Sequence, residues 1–364
     1  MQKNKLTLNQ AMFSIVLFNF GSSVVMGVNT SVGQDGWIAI LAAALMAVPL
    51  LIMYSRMLQL FPEKNLFQIA EIVFGAVGGK IISVLFVIYP IHLSAVVLRN
   101  FSEFTQITTM TETPQLPITI AMALTAVYLA KSGMRTMGKW SILMVGFVLL
   151  VVFATIFASI NQMKVSNLLP VMSCPPKDMV QATLQTFSFP YGETVLFLCL
   201  GDTMGREARS YKVFLWGLIG SVAIFLLVFF RNMTLLGQSL TSITFFPSYA
   251  TARIIQVGGF IERIEGAIST NFLLAGILKV AVCLLAVNKG LVSIFRQKNN
   301  SALVLPAGLL AIALGTIIYH NTMEMFAFIY YYFYYAVSFQ VILPVIVWIA
   351  GELHVRKIRA EGDE

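Results

Sequence analysis

Gly21-Ser22-Ser23-Val24-Val25-Met26-Gly27 and Ser188-Phe189-Pro190-Tyr191-Gly192-Glu193 each break an apolar run long enough to cross a bilayer. Counting outward from them, the chain carries about ten such runs, at roughly 9–30, 37–58, 80–107, 117–131, 139–160, 179–201, 212–236, 258–288, 303–320 and 326–352. An apolar helix of about 20 residues is roughly 30 Å long, the thickness of the hydrocarbon layer. Ten spans divide into two halves of five, and an odd number forces the second half to enter the membrane in the opposite sense. The broken spans are the first and the sixth. They therefore hold corresponding places in two inverted repeats, about 9–160 and about 179–352, within a single transmembrane domain. Breaks so placed point to a binding site near the bilayer midplane.

Composition supports an all-helical integral membrane protein. The chain is 58% apolar and 11% charged, against roughly a quarter charged in soluble domains. Its mean hydropathy of +0.83 leaves little room for a separate soluble domain. Membrane-exposed backbone must be satisfied within its own segment, and the alternating segments of a transmembrane barrel are absent from the sequence.

Charge sets the orientation. Seventeen Lys and Arg fall on the amino-terminal side of the membrane, and four, Lys164, Lys177, Arg231 and Arg253, on the other. That bias predicts both termini in the cytoplasm. The net charge of +8 reflects topology and contact with anionic lipid, and no basic run reads as a nucleic-acid patch. Basic residues before an apolar run can mimic a signal peptide, but this run is too long for one and reads as an uncleaved first span.

An unwound turn releases N–H and C=O groups that a continuous helix satisfies internally. The amino end of a half-helix offers N–H groups and a positive dipole end to a carboxylate, and the carbonyls of the opposite half suit an ammonium group. A free amino acid supplies both. The candidate ligand-binding residues are Gly21, Ser22, Ser23, Val24 and Gly27 in span one, and Ser188, Pro190, Gly192 and Glu193 in span six. The glycines admit close approach, the serines supply hydroxyls, Pro190 removes a donor, and Glu193 is an anion available to the cavity.

Charges inside the spans form a second group. Arg99 and Glu103 share a face of span three, four residues apart. Glu262, Arg263 and Glu265 open span eight, and both groups fall toward the outer surface. An unpaired charge at the bilayer centre costs about 2.5–3.5 kcal/mol on insertion scales, so pairing is expected, Arg263 with a carboxylate of span three or elsewhere. Lys279 lies deep in span eight. Its ammonium either snorkels to the cytoplasmic interface or acts as a fixed substitute for a bound cation near span one; Ser269 and Thr270 are alternative oxygen donors to a real ion.

Residues 61–75 read as a short helix in the cytoplasmic interface, with Pro62 in its first turn and Gly75 at its end. The run Tyr330-Tyr331-Tyr332-Phe333-Tyr334-Tyr335 covers every face of span ten and reads as packing and interfacial anchoring. Neither the isolated His92 and His320 nor Cys174, Cys199 and Cys283 have metal-ligand spacing. No cofactor motif and no nucleophile–base arrangement stands out, so an enzyme is not expected.

Gln34-Asp35-Gly36-Trp37-Ile38 before span two, and Gly259-Phe260-Ile261-Glu262-Arg263-Ile264-Glu265 opening span eight, resemble the "DGWI" and "G-x-F-x-E-R-x-E" signatures of the spore germination B-subunit permeases. Phe61-Pro62, Gly79-Lys80 and Thr113-Pro114 fit the same pattern, and the resemblance spans essentially the whole chain. Members often carry a "G-A-G-x-L-x-L-P-R" type sequence in span one; here that place lacks the proline and the arginine. The family belongs to the amino acid–polyamine–organocation superfamily. The resemblance implies a LeuT-like fold, a location in the inner membrane of bacterial spores, and A and C germinant-receptor subunits as partners. It also implies that the chain senses a nutrient, with a free amino acid the expected ligand. A working amino acid symporter, coupled to a proton or cation, is the alternative that the same fold allows.

Overall fold

The computed structural model describes residues 5–27, 30–255, 264–297 and 301–362, and there only the backbone of Ser22, Val24, Val25, Met26, Thr30 and Ser31. Helices account for nearly all of it: α1 (Leu8–Met26), α2 (Gly36–Leu60), α3 (Leu66–Thr108), α4 (Gln115–Lys131), α5 (Met134–Ser159), α6 (Pro176–Ser188), α7 (Tyr211–Ile243), α8 (Pro247–Ile254), α9 (Ile264–Phe295), α10 (Val304–Ile317), α11 (Thr322–Val337) and α12 (Leu343–Gly362). A 3-10 segment, Tyr191–Thr203, continues α6, and a π-turn, Ser338–Ile342, joins α11 to α12. Six stretches are long and apolar enough to cross a bilayer unaided: 32–60, 66–108, 134–162, 211–243, 264–295 and 322–361. α4 and α10 are shorter apolar helices.

The two broken spans match in proportion. α1 runs as a helix over 8–20 and leaves helical geometry at Gly21 (φ −2°, ψ −113°). α6 holds thirteen residues before Phe189 and Pro190 interrupt it. At 1.5 Å per residue, each first half is about 20 Å long, which puts each break well inside the bilayer. α9 is the central post. It packs against α1, α3, α4 and α5, and nearly every residue from Leu278 to Asn288 is buried.

Two local devices hold the repeats in register. Thr7 and Gln10 form a capping box that starts α1. Just before it, Leu6 N–H donates to Thr203 O (3.0 Å) and Gly205 N–H to Leu6 O (3.1 Å), so the start of span one is zipped to the end of span six. At the opposite face, buried Asp35 accepts from the N–H groups of Met172, Ser173 and Cys174 at 2.7, 2.8 and 2.9 Å. A carboxylate that collects several backbone donors is well satisfied without a counter-ion. Asp35 thus ties the entry of α2 to the linker between the repeats, a structural task for the Asp-Gly-Trp-Ile stretch.

Two sequence expectations need correction. The short helix after α2 begins at Leu66, not at Pro62, because Asn65 and Gln68 form a reciprocal cap there (3.0 and 3.1 Å). The chain then bends at Gly75 (φ 73°) and continues into the long part of α3. Arg231, assigned to an outer loop, lies within α7 and is buried, because α7 runs on to Ile243. Its guanidinium donates to Thr155 Oγ1 (2.9 Å) and to Asn232 Oδ1 (2.8 and 3.1 Å).

Candidate functional site

The interruption of α6 turns Glu193 inward, and α9 turns Lys279 to meet it. Lys279 Nζ stands 2.5 Å from Glu193 Oε2, and neither side chain has any exposed surface. The ammonium also lies over the rings of Phe189 (4.7 Å) and Phe18 (5.2 Å), so its positive charge faces π-clouds from both broken spans. Lys279 therefore does not reach an interface, as snorkelling requires. Its alkyl chain presses on the break in α1, where a Cβ at Gly21 would sit 2.8 Å from Lys279 Cδ. Only a residue without a side chain leaves that passage open.

A relay of neutral groups feeds the carboxylate. Tyr332 Oη donates to Glu193 Oε1 (2.9 Å) and is 2.9 Å from Tyr89 Oη. Since the Tyr332 proton is committed, Tyr89 donates to Tyr332, and Gln340 Nε2 donates to Tyr89 in turn (2.8 Å). Gln340 Nε2 also donates to the carbonyl of Ser188 (2.7 Å), the open end of α6. Gln340 sits in the π-turn, whose irregular backbone gives Tyr54 Oη a carbonyl to bond, that of Gln340 itself. A Cβ at Gly192 would come within 2.2 Å of Gln340 Oε1, so this glycine too is required for close approach. Side chains from α1, α3, α9, α11, the 3-10 segment and the π-turn converge on one ion pair at the depth of the two breaks.

Several buried polar atoms beside the breaks have no hydrogen-bond partner among the described residues. They are Ser23 Oγ in α1, Tyr191 Oη just after the α6 break, and Gln340 Oε1. Buried polar atoms are nearly always partnered, and an orphan is a reason to look for a ligand or water. The arrangement offers an ammonium, a carboxylate, two hydroxyls and an amide oxygen in an aromatic enclosure.

The other candidates fall as follows. Gly27 ends α1 at φ 74°, and Ser188 is buried with its hydroxyl on Gln185 O (3.1 Å). Pro190 immediately precedes the 3-10 segment, at its N-cap position. The backbone of Ser22 and Val24 lies just past the break, and their side chains are outside the described set. Arg99 Nε and Glu103 Oε2 pair at 3.2 Å, with Gln115 Nε2 (2.8 Å) and Thr322 Oγ1 also donating to Glu103. Glu265 stands half-buried in the first turn of α9. Glu262 and Arg263 lie outside the described residues, as does any partner of Arg263. Tyr54, Tyr89, Tyr332 and Gln340 were not anticipated. Their only sequence signal is a polar atom in an otherwise apolar span.

The fold and its two interrupted helices define a membrane protein with an inverted-repeat, LeuT-like fold. Its backbone is similar to that of Mhp1, a nucleobase–cation symport-1 family transporter solved in a closed conformation with bromovinylhydantoin bound (TM-score 0.69, 14% identity, covering 98% of this chain and 93% of that one). By sequence, the chain belongs to the spore germination protein permease family, whose model matches residues 5–342. Among its relatives, spore germination protein KB of Bacillus subtilis (strain 168) is 25% identical over 334 residues, 89% of this chain and 88% of that protein. Spore germination protein YndE of the same organism is 20% identical over 306 residues, 82% of this chain and 84% of that protein.

Proposed function

We propose that the chain is the nutrient-sensing subunit of a spore germinant receptor, with a free amino acid as ligand and A- and C-type subunits as partners. In this reading it sits in the inner membrane of the spore with both termini cytoplasmic. The observation that carries the proposal is the Lys279–Glu193 pair, wedged between the two breaks. A zwitterion matches that pair charge for charge. Its carboxylate replaces Glu193 beside Lys279, and its ammonium replaces Lys279 beside Glu193. One internal contact becomes two contacts to ligand, and the tie between α9 and the α6 break is released.

Such an exchange supplies what a sensor needs. A ligand shifts a conformational equilibrium only by its difference in affinity between two states. Here the unliganded state holds its own salt bridge, and the liganded state holds the nutrient. The aromatic neighbours Phe18, Phe189 and Tyr191 enclose the site and exclude water, which strengthens both charge contacts.

The test is a thermal-unfolding screen of the purified chain against the free amino acids. A ligand at a hundred times its dissociation constant adds about 2.7 kcal/mol. Ser23→Ala and Tyr191→Phe remove hydroxyls that have no hydrogen-bond partner among the described residues, so each variant should keep its basal stability and lose much of the ligand-induced shift. Stabilisation by no amino acid, or undiminished shifts in both variants, defeats the proposal. Uptake of labelled amino acid by proteoliposomes of the isolated chain separates the roles: sensing predicts none above background, and sustained uptake establishes transport.

A further inference from the structure

Away from the midplane, at the end of the bundle that carries the amino terminus, a cleft of about 530 Å³ opens among the α4–α5 loop, the end of the 3-10 segment and the last turns of α9. Lys131, Arg135, Lys139 and Lys289 line it, with the hydroxyls of Ser132 and Thr136. These cations come from three separate elements. Lys289 pairs with Asp202. Among the described residues, Lys131, Arg135 and Lys139 take part in no ion pair and are exposed.

The charge bias of membrane loops explains why cations lie on this face. It does not explain why four converge on one concavity, where they repel one another. The cleft also receives the amino end of α5, which starts after Gly133 without a side-chain cap. Its first N–H groups and the positive dipole end add to the same field. Arg135 offers a planar fork for two oxygens of one anion, and the lysines offer point charges. The Thr136 hydroxyl completes a set suited to a tetrahedral oxyanion, whereas that of Ser132 donates to Tyr128 O (2.9 Å).

We infer that this cleft is a binding site for a phosphate-bearing anion, supplied either by the headgroup of an anionic phospholipid or by a soluble phosphate. Basic pockets between transmembrane helices on this kind of face suit lipid headgroups. The Lys289–Asp202 pair joins the cleft to the end of the segment that begins at the α6 break, so an occupant bears on the tie between that segment and α9.

The experiment follows thermal unfolding of the full chain in a neutral detergent at constant ionic strength. It titrates inorganic phosphate in one arm and short-chain phosphatidylglycerol in the other, with phosphatidylcholine as the blank. Arg135→Ala/Lys139→Ala is compared with Lys80→Ala/Lys212→Ala, which removes the same charge from exposed positions outside the cleft. The expected result is stabilisation of the wild type in at least one arm, with half-saturation raised tenfold or more in the cleft variant alone. A shift with phosphate alone supports the site and assigns a soluble source. A shift with phosphatidylglycerol supports it and assigns the lipid. Failure of both arms in the wild type, equal responses in wild type and cleft variant, or equal losses in the two double variants would overturn it.

Discussion

Two buried charge pairs are built on opposite plans. Arg99 and Glu103 stand one helical turn apart on α3, keep about a tenth of their side-chain surface exposed, and draw extra donors from Gln115 and Thr322. Lys279 and Glu193 come from different helices, have no exposed surface, and meet where two spans are interrupted. The first pair belongs to one rigid element, so its geometry survives if neighbouring helices move. The second exists only while α6, α9 and the α1 break keep their present arrangement. One pair can be structural alone; the other can report a change of state.

The largest expected effect comes from unpairing the midplane. Lys279→Met leaves Glu193 as a buried, uncompensated anion, and losing one partner of such a pair costs about 3–5 kcal/mol. Adding Glu193→Gln removes the orphaned charge and recovers most of the loss. Chemical unfolding of Lys279→Met, Glu193→Gln and the double variant in detergent checks this, and additive losses would show that the two residues act independently. Glu103→Gln should cost less, about 1.5–3 kcal/mol, the range for a hydrogen bond to a charged group. If it equals the Lys279→Met loss, the contrast between the pairs fails.

A smaller effect is expected from Tyr332→Phe. It removes one donor to Glu193 and breaks the relay from Gln340, at a cost of about 1 kcal/mol in stability. A ligand-induced shift should weaken at the same time, whereas in Tyr331→Phe, whose side chain is exposed, neither should change. The least effect belongs to the exposed Lys5–Glu63 pair beside the start of α1. Its hydrogen bond to Lys5 holds the Glu63 carboxyl below the usual carboxylate range. A depressed carboxyl contributes stability above its unfolded pKa and loses it as pH falls through the folded value. The Lys5→Ala and wild-type unfolding curves should therefore differ slightly at neutral pH and converge in acid.

How much of this was legible in the sequence follows from the same contrast. The Gly21–Gly27 and Ser188–Glu193 breaks were readable because helix breakers are local, and the Arg99–Glu103 pair because helical spacing is local. The meeting of Glu193 with Lys279 depends on packing between two spans of the second repeat, with the residues 86 positions apart, and each residue alone was only an oddity. Tyr332 was hidden for another reason. It lies in an aromatic run covering every face of the helix, and only tertiary packing decides which hydroxyl turns inward. Gln340 belongs to a π-turn that no neighbouring residue signals. Arg231 misled because a lone arginine near the end of an apolar run reads as a loop, and its partner Thr155 belongs to another helix.

The exchange of an internal ion pair for a zwitterion is tested most directly by blocking the ligand's charges one at a time. Thermal unfolding would be measured with a stabilising free amino acid, with its amide, and with its N-acetyl form. The account predicts that the free amino acid stabilises and that each blocked form binds at least tenfold more weakly, a difference of about 1.4 kcal/mol or more. Equal stabilisation by all three, or by none, would contradict it.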